Sequence, residues 1–208
     1  MMSLVKKIKN APKKIKWLIN KALRNNFSNI DKKLWDDEYN KGGWEFLKDP
    51  NELERIIIAK KMLRKYPADK KIFEIGCGEG IFFLEMDKDD YSYFEGMDIS
   101  EVAINRIPAI HNSYFTFADM EIYEPKNAPF DVIVLNEVLY YSKDPNTLLL
   151  RYNKYINPNG VFLIGMYSGD PRSAGVWGSI SKNFVDVDIE PVSDGKKEWI
   201  YKTVRLKA

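Results

Sequence analysis

The chain has 208 residues, 45% of them apolar and 30% charged, with a formal net charge of +2 and a single cysteine. That is the composition of a globular domain plus an appendage; one cysteine excludes an internal disulfide framework and a thiolate metal cluster. No apolar run nears the roughly 18 residues that span a bilayer and no cleavable signal pattern is present, so a cytoplasmic protein is expected.

Charge and apolar spacing set the N-terminus apart. Residues 1–33 hold ten Lys or Arg against one acid, Asp31, which leaves the remainder at −7. A nucleic-acid-binding catalytic face would need its basic residues around the site, so no nucleic-acid partner is expected. Leu4, Ile8, Ile15, Leu18 and Ala22 recur near helical spacing among lysines, with Pro12 as a break. Residues 1–30 therefore read as a basic amphipathic helix. It either rests on an anionic membrane through residues 1–28, with Trp17 at the boundary, or is solvated and packs on the domain.

A short helix is expected at 34–39, ending at Gly42-Gly43, and a longer one at 51–66, stopped by Pro67. Strand signals follow at 71–75, 93–97, 114–118, 131–135 and 161–165, with helical patterns at 81–86, 101–107 and 145–156 between them. Such alternation predicts an α/β fold, a doubly wound parallel sheet with helices on both faces. The end differs: 184–189 and 198–206 alternate around Asp194-Gly195, which predicts an antiparallel hairpin.

The first strand runs into FEIGCGEG, Phe73 to Gly80, where Gly76, Gly78 and Gly80 let the backbone reverse and a ligand lie against bare peptide groups. The dinucleotide fingerprint GxGxxG would need glycine at position 81, which is Ile81. The pattern ExGxGxG instead resembles motif I of class I S-adenosylmethionine (SAM) methyltransferases. Later strand ends carry the resemblance further: Asp98 in FEGMDIS, Asp119 in FTFADM, and Asn136 after FDVIVL.

The resemblance implies a Rossmann-like, seven-stranded sheet whose last strand is inserted antiparallel, SAM as cofactor, and a catalytic domain at 31–208 with residues 31–70 as a helical lid. Asp98 would accept both ribose hydroxyls, beside Ile99. Asp119 would serve the adenine amino group, with Met120 against the ring. Glu74 would serve the loop and the cofactor amine, Asn136 the methionine part, and Cys77 would be a small turn residue rather than a nucleophile. Each acid also has a plainer reading, as a strand carboxylate, a helix cap or a turn residue.

Methyl transfer asks mainly for alignment, because the sulfonium is already activated. An alcohol acceptor adds the need for a general base. His111, the single histidine, precedes the third strand and belongs to the opposite end of the sheet. Glu137, Asp170 and Tyr140 are the better candidates, although Glu137 and Asp170 also suit helix caps. The aromatic phrase from Trp35 to Trp44 is either a lid, with Tyr39 and Trp44 over the cofactor and Gly42-Gly43 as hinge, or first-helix packing. Arg55 could meet the cofactor carboxylate.

NEVLYY is similar to a segment of the group containing nodulation chitooligosaccharide N-methyltransferases, and YxxGGWxxL to methyltransferases found with surface-polysaccharide genes. Both imply a carbohydrate acceptor: O-methylation of a sugar hydroxyl in a glycan, such as a terminal deoxyhexose of the rhamnose kind. A small-molecule N- or O-methyltransferase, or a SAM-binding protein without activity, is the alternative. No adjacent acid pair follows the fourth strand, so no metal is expected.

Overall fold

A computed structural model describes residues 32–207 except Ala68. The basic segment expected at 1–30 lies outside the described residues. The first helix, α1 (Lys32–Asn40), leads through a 3-10 turn (Glu45–Lys48) into α2 (Pro50–Leu63). Pro50 opens α2 where its missing N–H costs nothing, Glu52 lies in the first turn, and Lys60 and Lys61 lie in the last.

The strands are β1 (Lys71–Ile75), β2 (Tyr93–Asp98), β3 (Ser113–Phe117), β4 (Phe130–Asn136), β5 (Ile156–Tyr167), β6 (Phe184–Ser193) and β7 (Glu198–Leu206). Between them lie α3 (Ile81–Leu84), α4 (Glu101–Ile104), α5 (Pro145–Asn153) and α6 (Ser173–Ile180). The described residues build one seven-stranded sheet in the order β3-β2-β1-β4-β5-β7-β6. Strands β1 to β5 pair in parallel, and β7 enters antiparallel between β5 and β6. The expected α/β doubly wound fold with its antiparallel C-terminal hairpin is therefore present.

Alternation in β1 feeds two cores. Phe73 and Ile75 pack with Ile133, Leu135, Tyr152 and Phe162 on one face; Ile72 packs with Ile56, Met62, Phe94 and Val132 on the other. Central strands buried on both faces explain the unbroken apolar run from Val132 to Leu135. Because β2 and β4 leave β1 in opposite directions, the carboxyl ends of β1 and β4 open a crevice at the switch point.

Three local expectations need correction. Residues 157–160, left between the expected helix at 145–156 and strand at 161–165, lie inside β5: Phe130 pairs with Ile156 and Val132 with Val161, so they bulge opposite Asp131. Gly160 permits this, since a Cβ there would sit 2.8 Å from the Asp131 carbonyl oxygen. Helix α6 lies outside the helical patterns expected, and only the cap reading of Asp170 pointed to it; Val176 and Ile180, four residues apart and buried, hold it on the core despite Gly175 and Gly178. Helix α2 stops at Leu63, short of the expected Tyr66, and Arg64 to Tyr66 close a turn before Pro67.

Candidate active site

The glycine loop is shaped by its own backbone. Gly76, Gly78 and Gly80 all have positive φ, at 73°, 54° and 74°. Two positions also lack room: a Cβ at Gly76 would fall 2.4 Å from Val138 Cγ2, and one at Gly78 would fall 2.6 Å from the Tyr39 hydroxyl. The amides of Gly76 and Cys77 donate to the Met97 carbonyl at 2.8 and 3.0 Å, which ties the loop to the end of β2. Cys77 is buried beside Asp98 and Glu74, and burial raises its thiol pKa, an inert environment for a nucleophile.

Asp98 is held by main chain: Oδ2 accepts from Gly78 N at 2.9 Å and Oδ1 from Ser100 N at 2.8 Å. Burial lifts its carboxyl to about 6 against those hydrogen bonds, and the half-buried Ile99 contributes an amide to the same turn. Asp119 uses Oδ1 to accept from Glu121 N at 2.8 Å, closing the turn after β3. Met120, expected to set an apolar face against the adenine ring, follows Asp119 in that turn. Its side chain is 8% exposed and belongs to the core, and its carbonyl accepts from the Tyr152 hydroxyl at 2.9 Å.

Beneath the crevice, polar groups are buried with unused bonding capacity. Glu74 Oε1 accepts from Asn136 Nδ2 at 3.2 Å, whereas Glu74 Oε2 and Asn136 Oδ1 have no hydrogen-bond partner. Burial drives the Glu74 carboxyl up to about 8. Arg55, 4% exposed on α2, pairs through Nε with Glu52 Oε2 at 3.5 Å but makes no hydrogen bond from that atom, and its charge is felt at both Glu74 and Glu137. Buried orphans of this density are rare in native cores and mark where a polar ligand completes the bonding. A glycine cradle beside unpartnered donor and acceptor atoms fits the amino-acid and nucleoside parts of SAM.

Glu137 stands at the end of β4 with φ at 55°, a conformation a non-glycine side chain adopts only when its surroundings impose it. Its Oε2 accepts from the Tyr140 hydroxyl at 2.8 Å, and its Oε1 is buried without a partner. Burial raises the Glu137 carboxyl to about 7, against the Tyr140 hydrogen bond and the Arg55 charge. Burial also pushes Tyr140 far upward, so it stays a donor.

Asp170 is engaged differently from the free base envisaged for it. Arg172 grips it in a fork, Nε to Oδ1 at 2.9 Å and Nη2 to Oδ2 at 2.7 Å, and the same guanidinium lies over the rings of Tyr140 and Tyr141 at 4.5 and 4.8 Å. A carboxylate held this way is a poor proton acceptor. The geometry separates the two acids, leaving Glu137 with the buried oxygen that accepts no hydrogen bond.

The aromatic phrase forms a cluster across the crevice. Trp35 stacks on Trp44 at 5.6 Å and meets Tyr141 edge-on at 5.1 Å, and Tyr39 lies 6.1 Å from Trp44. Charged groups fasten α1: Asp36 Oδ1 accepts from Ser100 Oγ at 2.7 Å, Lys32 pairs with Glu101 at 2.6 Å, and Arg106 donates to the Tyr39 carbonyl at 3.2 Å. Asp36, Arg106, Arg172 and Glu52 were not among the site residues expected from sequence; the ring-rich phrase around Asp36 and the polar loop after the fifth strand, which ends at Arg172, were the hints. His111 is exposed, outside this constellation.

A family model described as a methyltransferase domain matches residues 44–184. Among curated proteins, a ubiquinone biosynthesis O-methyltransferase of Neisseria meningitidis is 26% identical over 159 residues, which cover 71% of this chain and 62% of that protein. The chain thus spans less than two thirds of that relative. Among solved structures, the N-methyltransferase NodS of Bradyrhizobium japonicum, in complex with S-adenosyl-L-homocysteine, superimposes with a TM-score of 0.66 at 21% identity, over 79% of this chain and 92% of that one. The [4+2]-cyclase SpnF superimposes at 0.63 with 13% identity, over 77% and 86%.

Proposed function

Because this chain belongs to the class I SAM-dependent methyltransferase family, we propose that it methylates a hydroxyl oxygen of a carbohydrate, a sugar unit of a glycan such as a terminal deoxyhexose, with Glu137 as general base. The observation that carries the reading is the Glu137 carboxyl: strained backbone, one oxygen oriented by Tyr140, the other buried and unpartnered. SAM, when bound, supplies an electrophilic methyl group on a sulfonium sulfur. With SAM in place, Glu137 Oε1 would take the proton that the acceptor hydroxyl loses. Tyr140 steadies the carboxylate by donating to Oε2, and a base near pKa 7 is matched to neutral pH.

Glu74, Gly76, Gly78, Gly80, Asp98, Ile99, Asp119, Asn136 and Arg55 are assigned to the cofactor, with Tyr39 and Trp44 as its cover. Aromatic faces beside hydrogen-bonding acids suit a sugar, whose C–H edges stack while its hydroxyls bond. The test is transfer from tritiated SAM to a panel of glycans, catechols and amines by the purified protein. Label on sugar oxygen supports the reading. Label on an amine alone overturns it in favour of N-methylation, for which the Trp35, Trp44 and Tyr141 cluster offers cation-binding faces. SAM binding without transfer to any acceptor overturns catalysis itself. The basic stretch at 1–28 is proposed as a peripheral membrane contact, tested by salt-sensitive sedimentation with anionic vesicles before and after its removal.

A further inference from the structure

Beyond the crevice, a cleft of about 330 Å³ opens between the end of β5 and the β6–β7 turn, lined by Tyr167, Ser168, Gly169, Ser193, Gly195, Lys196 and Glu198. We propose that this cleft is a second acceptor subsite, holding the hydroxyl-rich unit that neighbours the one being methylated. The proposal rests on the carbohydrate reading above and specifies it: the acceptor is at least a disaccharide.

Position is the first argument. The β7 strand runs antiparallel to β5 with Tyr167 opposite Trp199, so the turn joining β6 to β7 stands at the carboxyl end of β5. Asn136 pairs with Gly165 in the neighbouring strand, and the Glu137 amide donates to the Gly165 carbonyl at 2.9 Å, which places the candidate base at the same end of the sheet. Tyr167 lies between the two sites, two residues beyond Gly165, the strand partner of Asn136, and it lines the cleft. Gly169 makes room for its ring: a Cβ there would sit 2.4 Å from it.

Chemistry selects the ligand class. Two serine hydroxyls, an ammonium, a carboxylate and a phenol offer donors and acceptors together, the demand of a polyhydroxylated ring. The Glu198 carboxylate disfavours a phosphate or carboxylate ligand, and the cleft lacks the apolar walls an isoprenoid or flat aromatic would need. The volume lies at the small end of ligand sites, room for one ring-sized unit.

Preorganisation is the third argument. Asp194 Oδ1 accepts from the amides of Lys196 and Lys197 at 2.8 and 2.6 Å, and Ser193 Oγ from Gly195 N at 3.1 Å. Ser168 N donates to the Glu198 carbonyl at 2.8 Å, and Lys197 is tied to Glu52 of α2. A wall fixed before the ligand arrives loses little freedom on binding.

The test measures kcat/KM with SAM for methyl rhamnoside and for a rhamnosyl disaccharide glycoside, in the wild type and in Ser168→Trp, which fills the cleft, and Lys196→Ala, which removes a donor. Bound SAM reports the folding of each preparation. The wild type is expected to favour the disaccharide by about tenfold or more, and both substitutions to bring the ratio towards one. A wild-type ratio near one, or a ratio that neither substitution moves, overturns the subsite while the carbohydrate reading stands. If neither saccharide is methylated, the carbohydrate reading has failed. Saturation-transfer NMR with the disaccharide then decides the cleft: a signal from the wild type that disappears in Ser168→Trp supports it, and no signal from the wild type overturns it.

Discussion

The two halves of the crevice are made of different material. At the ends of β1 and β2 the bonds that fix the site come from main chain, with Asp98 between the amides of Gly78 and Ser100 and the loop amides on the Met97 carbonyl. At the ends of β4 and β5 they are between side chains: Glu137 with Tyr140, Asp170 with Arg172, Lys197 with Glu52, Trp35 with Tyr141. Main-chain sites hold a shared cofactor in any relative that keeps the turn, whereas side-chain sites can be rebuilt one residue at a time for a new acceptor.

The contrast breaks if substitutions on one side act on the other. The largest effect is expected from Glu137→Gln, which should lower kcat by about 10²- to 10⁴-fold while SAM affinity, read by calorimetry, is retained. Equal loss of SAM affinity would place Glu137 in the cofactor half. Next, Asp98→Ala should weaken SAM binding by about 10- to 100-fold, as two acceptor oxygens for bound hydroxyls are removed; unchanged affinity defeats the ribose assignment. Acidity gives a third view. With the base near 7, kcat/KM should rise with pH through that value and level off above it, and the inflection should vanish in Glu137→Gln.

Stability should respond to pH in the opposite sense. Glu74, Asp98 and Glu137 have carboxyls raised by burial to about 8, 6 and 7, so their contribution is complete below the unfolded value near 4 and is lost as pH climbs through 6 to 8. Carboxylates held low by partners, Asp90 and Asp194 among them, act in the other direction but at pH below about 4. The Tm of the cofactor-free protein should therefore fall between pH 5 and 8.5, and Glu74→Gln should flatten the slope; a slope that survives means the raised acids do not govern it. The smallest effect is expected from Asp170→Asn, which loosens Arg172 from its fork and should raise acceptor KM about two- to tenfold with SAM affinity unmoved.

What sequence could tell follows the same division. Strand β1 was placed to the residue, and Gly76, Gly78, Asp98 and Asp119 stood where the strand ends require them, because turn chemistry and strand alternation are local. Helix α6 escaped because its support is tertiary: its glycines are excused by Val176 and Ile180 on the core. Asp36 escaped because its partner Ser100 is 64 residues away, and the Glu52 to Lys197 tie because it spans 145. Asp170 and Arg172 lie two residues apart, yet nothing in their spacing distinguishes a paired acid from a free one.

The late strand β7 sets the order in which the molecule can be completed. It is the sheet partner of both β5 and β6, so β6 joins the sheet only through β7. The sheet hydrogen bonds of β6 require residues 198–206, while Val185, Val187 and Ile189 stay exposed in the finished fold. Tyr201 and Trp199, which close the sheet beside Gly165 and Tyr167, arrive with that strand. The ends of β1 and β2 pair without β7, whereas the wall beside Gly165 and Tyr167 is complete only with it.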